Sequence, residues 1–158
     1  EQEIETWETM MRINLDAPFY LSRLVTKGMV KRRHGRVVFT SSTAAKVAEY
    51  AGSAYNSSKA GLLGLMRSVA EDCGEFGITS NAVLPGWVRT EMAEKHAAAE
   101  ALERNISTKQ VWQERASLYR AGRVATPDEV AAMIVFLASD EAGGVSGEAI
   151  RVSLGGVI

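Results

Sequence analysis

Hydrophobic residues recur along the chain with two different spacings. Over residues 4–33, 53–73 and 127–139 they return every three or four positions, which is typical of helices that pack by one face. Over residues 36–40, 78–84 and 148–152 they form short, mostly apolar runs, as expected of strands covered on both faces. Because a helix precedes each strand, the pattern predicts an α/β domain with a parallel sheet. Three strands cannot protect both edges of such a sheet, so we expect a partner along at least one edge.

Local signals mark where several elements begin and end. Gly74 and Gly77 follow the second helix as stop signals. Thr126-Pro127-Asp128-Glu129 has the form of a capping box, with Thr126 as N-cap and Pro127 at the first helical position. Residues 92–118 are rich in Ala, Glu, Lys and Gln, and we expect one or two helices there that act as a lid.

Composition and charge exclude several classes of protein. The 158 residues include 18 Lys+Arg against 19 Asp+Glu, for a formal charge of -1, and 46% are hydrophobic. This balance fits a globular domain and argues against binding to nucleic acid, while no apolar run is long enough for a membrane span. A single cysteine, Cys73, and two distant histidines, His34 and His96, leave no basis for a zinc site or an internal disulfide. We expect a cytoplasmic protein without a metal, and we assign structural rather than catalytic places to these three residues.

Tyr55 and Lys59 are the first candidates for chemistry. A spacing of four residues on a helix puts both side chains on one face. An ammonium group beside a phenol favours the phenolate, so it lowers the tyrosine pKa and makes a general acid/base possible. The simpler interpretation is a surface pair of little energetic weight.

Two further polar groups are expected at the same rim of the sheet. Ser42 follows the strand at 36–40, and the segment Pro85-Gly86-Trp87-Val88-Arg89-Thr90 follows the strand at 78–84. Ligands of open parallel sheets bind at the carboxyl ends of the strands. Ser42 has a simpler interpretation as well, because hydroxyl groups at strand ends often cap the next turn.

These residues together resemble the classical short-chain dehydrogenase/reductase family. The match in type, order and spacing includes Ser42, the Tyr55/Lys59 pair, the turn with Pro85, Gly86, Val88 and Thr90, and the helix asparagine Asn14. Segments near the carboxyl end, from Gly122-Arg123 and from Gly147-Glu148, resemble the last helix and strand of the family. The resemblance covers essentially all 158 residues, and its nearest class is the 3-oxoacyl-acyl-carrier-protein reductases and related alcohol dehydrogenases.

The resemblance implies a Rossmann-like doubly wound parallel sheet and a hydride transfer between NAD or NADP and a secondary alcohol or ketone. Tyr55 would be the general acid/base, Ser42 would bind the substrate oxygen, and Lys59 would assist Tyr55 and hold the nicotinamide ribose. Asn14 would bind a water that links Lys59 to solvent. Tyr55, Lys59 and the turn residues Pro85, Gly86, Val88 and Thr90 would contact the cofactor.

Pro18 adds a backbone argument about Asn14. Proline has no N–H, so in an α-helix it cannot bond the carbonyl four residues earlier, which is that of Asn14. We therefore expect a kink there, with a water or another donor on the Asn14 main-chain oxygen, directed toward Lys59.

The sequence departs from the family pattern at its beginning. The strand, the glycine-rich phosphate-binding turn and the Asn-Asn-Ala-Gly segment with which members open do not occur. We therefore expect residues 1–158 to be the carboxyl-terminal catalytic and substrate-binding part of one Rossmann-like domain, without the amino-terminal dinucleotide-binding part. The choice between NAD and NADP stays open, as does the substrate.

Two other functions remain possible from the sequence. One is a non-catalytic assembly or binding module; the other is an epimerase or dehydratase with the same Tyr/Lys pair, which usually has a larger substrate domain. Trp87, Trp112, Leu118 and Tyr119 are equally suited to line an apolar substrate pocket or to anchor helices.

Assembly is expected to be a homotetramer or homodimer. The resemblance implies that the two long helices pack against their copies. In addition, Leu62, Leu63, Leu65 and Met66 give the second helix more apolar surface than one sheet face requires.

Overall fold

The computed structural model describes residues 2–48 and 50–156. Its helices and strands follow the alternation that the sequence predicts. In chain order they are α1 (Ile4–Met11), α2 (Ala17–Arg32), β1 (Gly35–Thr40), α3 (Ser53–Cys73), β2 (Ile78–Pro85), α4 (Glu91–Glu103), α5 (Thr108–Ser117), α6 (Pro127–Ala138) and β3 (Ala149–Val152).

The three strands form a parallel sheet in the order β1-β2-β3. Gly35 pairs with Ile78 at one end of the first ladder, and Ala82 pairs with Ala149 at the start of the second. The predicted parallel α/β architecture is therefore confirmed. Among the described residues β1 and β3 are both edge strands, so the expected open edge at β1 is present.

Helices cover both faces of the sheet. Alternate residues of a strand point to opposite faces, and on one face Leu84 packs with Leu62 and Met66 of α3. On the other face Val83 packs with Leu137 of α6. Residues 78–84 of the central strand are all buried, as the continuous apolar character of that segment predicts.

The first long helix is not a regular α-helix throughout. A π-helical turn, Arg12–Asp16, separates α1 from α2, and the main-chain nitrogen of Ala17 bonds the carbonyl of Arg12 across it. Pro18 lies just after this turn and contributes no N–H to the helical ladder. The α-helical ladder is thus interrupted by a π turn that includes Asn14, while the kink and the donor on the Asn14 main-chain oxygen stay predictions.

The distribution of exposed apolar side chains corrects one expectation. Of the four residues named, Leu62, Leu63 and Met66 are buried, and Leu65 is half-buried against the same core cluster. This burial arises because α3 packs against β2 and also against α1. The surplus apolar surface lies on the first long helix instead, at Ile4, Trp7, Ile13, Phe19, Tyr20, Leu21, Leu24 and Val25.

A lid unit is formed by α4 and α5. Its small core contains Ala93, Ala97 and Ala101 of α4, which pack on Val111 and Trp112 of α5. The alanines let the two short helices approach closely, which explains why this Ala-rich segment forms two helices with a modest apolar face.

Helix caps fix the ends of the elements near the site. The capping box of α6 is present, with Thr126 accepting a hydrogen bond from the main-chain nitrogen of Glu129 and the Glu129 carboxylate accepting one from the Thr126 nitrogen. Across the described residues, no helix combines the length and the apolar character that crossing a bilayer requires.

Candidate active site

An open cleft of about 510 Å³ lies at the carboxyl ends of the strands. Ser42 reaches it from the end of β1, Gly86 from the end of β2 and Ser153 from the end of β3. Tyr55, in the first turn of α3, completes the polar part of the lining. The cleft thus occupies the place where parallel sheets bind ligands.

Lys59 is one turn along α3 from Tyr55, and it is fixed to the end of β1. Its ammonium nitrogen lies 5.7 Å from the centre of the Tyr55 ring. The same nitrogen donates a hydrogen bond to the main-chain oxygen of Thr40 at 3.1 Å. The Ser41 hydroxyl donates to the main-chain oxygen of Lys59 at 2.9 Å, so both the backbone and the side chain of Lys59 are tied to the strand.

The environment of Lys59 changes its charge equilibrium. Burial lowers the pKa of Lys59 from its ordinary value of 10.5, because removing water disfavours the ammonium form. A partly desolvated cation interacts more strongly with a nearby anion than a fully hydrated one does. Lys59 is therefore well suited to stabilise negative charge beside Tyr55.

Ser42 caps the turn that follows β1 and also lines the cleft. Its hydroxyl oxygen accepts a hydrogen bond from the main-chain nitrogen of Ala44 at 3.1 Å and so caps the short 3-10 turn Thr43–Ala45. The same side chain lines the cleft. Because its oxygen acts as the acceptor in the cap, the hydroxyl hydrogen can be donated to a bound oxygen atom.

Asn14 contacts α3 through a residue that sequence reasoning did not single out. Its Nδ2 donates to the Ser58 hydroxyl at 3.1 Å, and this hydroxyl donates in turn to the main-chain oxygen of Tyr55 at 2.8 Å. Ser58 is completely buried. The Asn14 side chain is therefore linked to the turn that carries Tyr55, while Lys59 bonds Thr40. The position of Ser58 three residues after Tyr55 was the available signal, since that spacing returns a hydroxyl to the Tyr55 carbonyl.

The segment after β2 forms one wall of the cleft. Gly86 and Thr90 line it, and the Thr90 hydroxyl accepts a hydrogen bond from the main-chain nitrogen of Ala93 and so caps α4. Pro85 is the last residue of β2, and Val88 forms an isolated parallel bridge with Ala125. Pro85 and Val88 therefore anchor the wall that Gly86 and Thr90 present.

Tyr119 holds this wall in place through a hydrogen bond and close packing. Its hydroxyl accepts a hydrogen bond from the main-chain nitrogen of Trp87 at 2.6 Å. A Cβ atom at Gly86 would lie only 2.5 Å from that hydroxyl, and one at Gly156 would lie 2.6 Å from the Tyr119 ring. Both positions accordingly need glycine for the close approach of Tyr119.

The aromatic and apolar candidates separate into two groups. Trp87, Leu118 and Tyr119 line the cleft, whereas Trp112 belongs to the core of the lid unit and donates its indole N–H to Glu94 at 2.8 Å. Trp87, Leu118 and Tyr119 are therefore pocket residues, whereas Trp112 anchors the packing of the lid helices.

The lid unit also supplies cleft residues that sequence reasoning missed. Met92, Ala93 and His96 line the cleft from α4. His96 is exposed, as expected, and it also faces the candidate site. The signal was their spacing, because His96 lies four residues after Met92 and three after Ala93, and residues three or four apart are neighbours on a helix.

Comparison with known proteins shows clear relatives. A family model described as enoyl-(acyl carrier protein) reductase matches residues 1–156. D-beta-hydroxybutyrate dehydrogenase of Cupriavidus necator is 35% identical over 144 residues, which cover 90% of this chain and 56% of that protein. The 3-oxoacyl-(acyl-carrier-protein) reductase of Vibrio cholerae is 34% identical over 151 residues, which cover 96% of this chain and 57% of that protein.

Solved structures agree with the sequence relatives. An actinorhodin polyketide ketoreductase variant with NADPH superimposes with a TM-score of 0.91 and 32% identity, covering 98% of this chain and 61% of that one. Sorbitol-6-phosphate 2-dehydrogenase of Erwinia amylovora gives a TM-score of 0.94 and 26% identity, covering 100% of this chain and 62% of that one. The chain thus spans 56% to 57% of the length of these curated relatives. With a family model matched along nearly its whole length and the expected fold, the chain belongs to the classical short-chain dehydrogenase/reductase family.

Proposed function

We propose that this chain is the catalytic and substrate-binding part of an NAD(P)-dependent oxidoreductase that interconverts a secondary alcohol and a ketone. The observation that carries the proposal is that Tyr55 and Ser42 line one cleft at the carboxyl ends of the strands, with the Lys59 ammonium 5.7 Å from the centre of the Tyr55 ring. The named relatives, a hydroxybutyrate dehydrogenase and a 3-oxoacyl-(acyl-carrier-protein) reductase, support an alcohol/ketone reaction.

The donors at the cleft fit the nicotinamide end of the cofactor. Tyr55, Lys59 and Thr90 offer a phenol, an ammonium group and a hydroxyl close to one open cavity. Such donors suit ribose hydroxyls and a carboxamide, and the partly buried Lys59 ammonium is the strongest of them. A glycine-rich turn of the kind that binds the pyrophosphate does not occur in the sequence, so we assign the adenosine end to a part outside these 158 residues.

The proposed mechanism divides the reaction between the cofactor and three side chains. When bound, the nicotinamide cofactor would supply or accept the hydride at the carbonyl carbon of the substrate. In the direction of reduction, Tyr55 donates its phenolic proton to the carbonyl oxygen while the Ser42 hydroxyl donates a hydrogen bond to the same oxygen. Lys59 stabilises the negative charge that develops on the Tyr55 oxygen. In oxidation Tyr55 takes the proton from the alcohol.

Asn14 is assigned a positioning role in this scheme. Its link through the Ser58 hydroxyl to the Tyr55 carbonyl orients the first turn of α3. We retain the proposal that a water on the Asn14 main-chain oxygen relays protons between Lys59 and solvent, because the π turn breaks the α-helical ladder at that point.

An assembly module remains the second candidate, and one observation favours it. The first long helix exposes several large apolar side chains, and β1 is an edge strand among the described residues. These features are also expected of an enzyme whose subunits associate, so we propose a homo-oligomeric oxidoreductase in which this face contacts a second copy. The cytoplasmic location stays a prediction.

Replacement of Tyr55 by phenylalanine tests the proposed function. We expect Tyr55→Phe, in an extended protein that also carries a dinucleotide-binding half, to lower turnover about 10²- to 10⁴-fold, because the general acid/base is lost. Cofactor affinity should change little, since the ring remains. Tyr20→Phe, in the exposed part of α2, is the matched control. Unchanged turnover in Tyr55→Phe would contradict the mechanism. If neither the extended wild-type protein nor the Tyr55→Phe variant binds the cofactor, the assembly module is favoured.

A further inference from the structure

The guanidinium group of Arg115, in α5, stacks on an aromatic residue of the cleft. Its central carbon lies 3.9 Å from the centre of the Trp87 ring and 4.9 Å from that of Trp112. Only 7% of Arg115 is exposed. Trp87 follows Gly86 in the wall of the cleft, whereas Trp112 belongs to the lid unit, so this one side chain joins the two.

The guanidinium of Arg115 forms an ion pair with Glu100 and also lies within the electrostatic reach of Glu94. Its Nη2 donates to Glu100 at 2.7 Å, and the other oxygen of Glu100 binds the exposed Arg104 at 2.6 Å. Burial by itself would raise the pKa of Glu100, but the hydrogen bonds from Arg104 and Arg115 outweigh it and lower that pKa. Glu100 is therefore ionised at neutral pH and holds Arg115 in place.

Stability of the lid unit does not by itself explain an arginine at this position. In the part of the chain that the structure describes, Arg115 Nη1 is buried and has no hydrogen-bond partner. A buried cationic nitrogen without a partner costs more than an apolar side chain of similar length. What a guanidinium adds is a flat cation that stacks on an indole ring in one orientation.

The same short segment also fixes the main chain of Trp87. Tyr119, four residues after Arg115, accepts the hydrogen bond from the Trp87 nitrogen. Arg115 holds the Trp87 ring and Tyr119 holds its backbone. The orientation of the indole and the position of the wall next to Gly86 therefore both depend on the position of the carboxyl-terminal end of α5. We propose that Arg115 is a positioning residue that sets the orientation of Trp87. It thereby sets the shape of the apolar part of the cleft, lined by Trp87, Leu118 and Tyr119, which we assign to the substrate. The effect on catalysis rests on the function proposed above, whereas the effect on Trp87 does not.

Fluorescence of Trp87 tests the structural half of this proposal. The chain has three tryptophans, so Trp7→Phe and Trp112→Phe leave Trp87 as the only one while keeping aromatic rings at both positions. In this background we expect Arg115→Met to raise the acrylamide quenching constant at least about two-fold, because the ring loses its cover. Arg115→Lys keeps the charge beside Glu100 but not the planar group, and it should also raise quenching. Arg104→Met, which removes the exposed partner of Glu100, is the control and should leave quenching unchanged.

Steady-state kinetics test the catalytic half in the extended protein with a dinucleotide-binding half. We expect Arg115→Lys and Arg115→Met to raise the KM for substrate about 5- to 10-fold, with kcat and the KM for cofactor within about two-fold. A merely structural role would lower the amount of active enzyme, and hence kcat, without this selective change in KM. Wild-type values of the quenching constant and of the KM for substrate in Arg115→Lys would overturn the proposal. Wild-type values of both quantities in Arg115→Met would overturn it as well. If Tyr55→Phe keeps its turnover, the proposed function fails, but the quenching result still decides the role of Arg115 toward Trp87.

Discussion

The ammonium nitrogen of Lys59 donates a hydrogen bond to the main-chain oxygen of Thr40, 3.1 Å away at the end of β1. The cation that we propose assists Tyr55 is thereby held by the sheet as well as by its own helix. Because Ser42 leaves the same strand two residues later, the bond also ties Lys59 to the segment that carries the second candidate catalytic group. The spacing of these groups depends on how α3 is seated on β1.

The lowered pKa of Lys59 predicts a dependence of stability on alkaline pH. Between that lowered pKa and the ordinary value of 10.5, the unfolded chain binds a proton at this site that the folded chain does not, so stability from this group rises with pH. We expect wild type to gain stability relative to Lys59→Met as pH rises from 7.5 toward 10. Urea unfolding at several pH values measures this difference. Lys95→Met, on the exposed face of α4, is the control and should show no such trend; a trend of the same size in both variants contradicts the assignment.

The contact between Gly86 and Tyr119 predicts coupled effects on stability. Gly86→Ala places a Cβ 2.5 Å from the Tyr119 hydroxyl, so we expect it to destabilise the chain by about 1–3 kcal/mol. Tyr119→Phe should cost about 1–3 kcal/mol by leaving the Trp87 N–H without its acceptor. The double variant should be more stable than the sum of the two effects predicts, because phenylalanine lacks the clashing hydroxyl.

A double-mutant cycle by chemical denaturation measures this coupling. Gly64→Ala provides the control, since a Cβ at that helical position meets nothing within 4 Å. It should stabilise the chain by about 0.5–1 kcal/mol, as removal of a glycine from a helix usually does. Strict additivity of Gly86→Ala and Tyr119→Phe would show that the close approach does not determine the need for glycine.

Sequence reasoning was most successful where local chemistry determines structure. The glycines after α3, the capping box at Thr126 and the missing N–H of Pro18 each act within one turn of the chain, and each marks a boundary or irregularity that the structure contains. The Tyr55/Lys59 pair could be found for the same reason, because helical spacing alone puts the two side chains together.

Contacts between distant segments could not be found in this way. Arg115 stacks on Trp87, 28 positions earlier, and no local pattern distinguishes it from the exposed Arg104 between α4 and α5. The link from Asn14 to Ser58 likewise depends on how α3 packs against the π turn. The burial of Leu63 was missed because the sequence shows how many apolar residues a helix has, but not how many of them the core between α3 and the sheet takes up.

The ion pair between Arg123 and Glu129 predicts sensitivity to acid. Hydrogen bonds from Arg123 and from the Thr126 backbone lower the pKa of Glu129 from 4.5 to about 2. A lowered pKa contributes stability that is present above about pH 4.5 and is lost as pH falls toward 2. We therefore expect Glu129→Gln to be less stable than wild type at pH 7 and to approach it near pH 2.

Thermal unfolding between pH 2 and 7 measures this convergence. Glu103→Gln, at the exposed end of α4, is the control, and its difference from wild type should stay small across the range. A constant difference between Glu129→Gln and wild type at all pH values would show that the capping box, and not the charge, accounts for the effect.

The exposed face of the first long helix predicts self-association. Ile13, Leu21 and Leu24 are 62%, 63% and 59% exposed, and Leu21 and Leu24 are one turn apart on α2. A helix that exposes this many large apolar side chains is expected to be part of an interface. A helix that contacts its copy across a two-fold axis presents the same residues from both sides, so one substitution acts twice in the interface.

Light scattering across a dilution series tests this prediction. We expect the chain to be at least dimeric at micromolar concentration, and the paired change Leu21→Glu with Leu24→Lys to shift it toward monomer without loss of helical circular dichroism. Leu102→Glu, at an 85% exposed position of the lid unit, should leave association unchanged.

The extended protein with a dinucleotide-binding half separates the two possible occupants of this face. If a second copy covers it, the extended protein also associates through Leu21 and Leu24. A monomeric extended protein would show instead that the added dinucleotide-binding half covers the helix. A monomeric chain at micromolar concentration would contradict the interface itself.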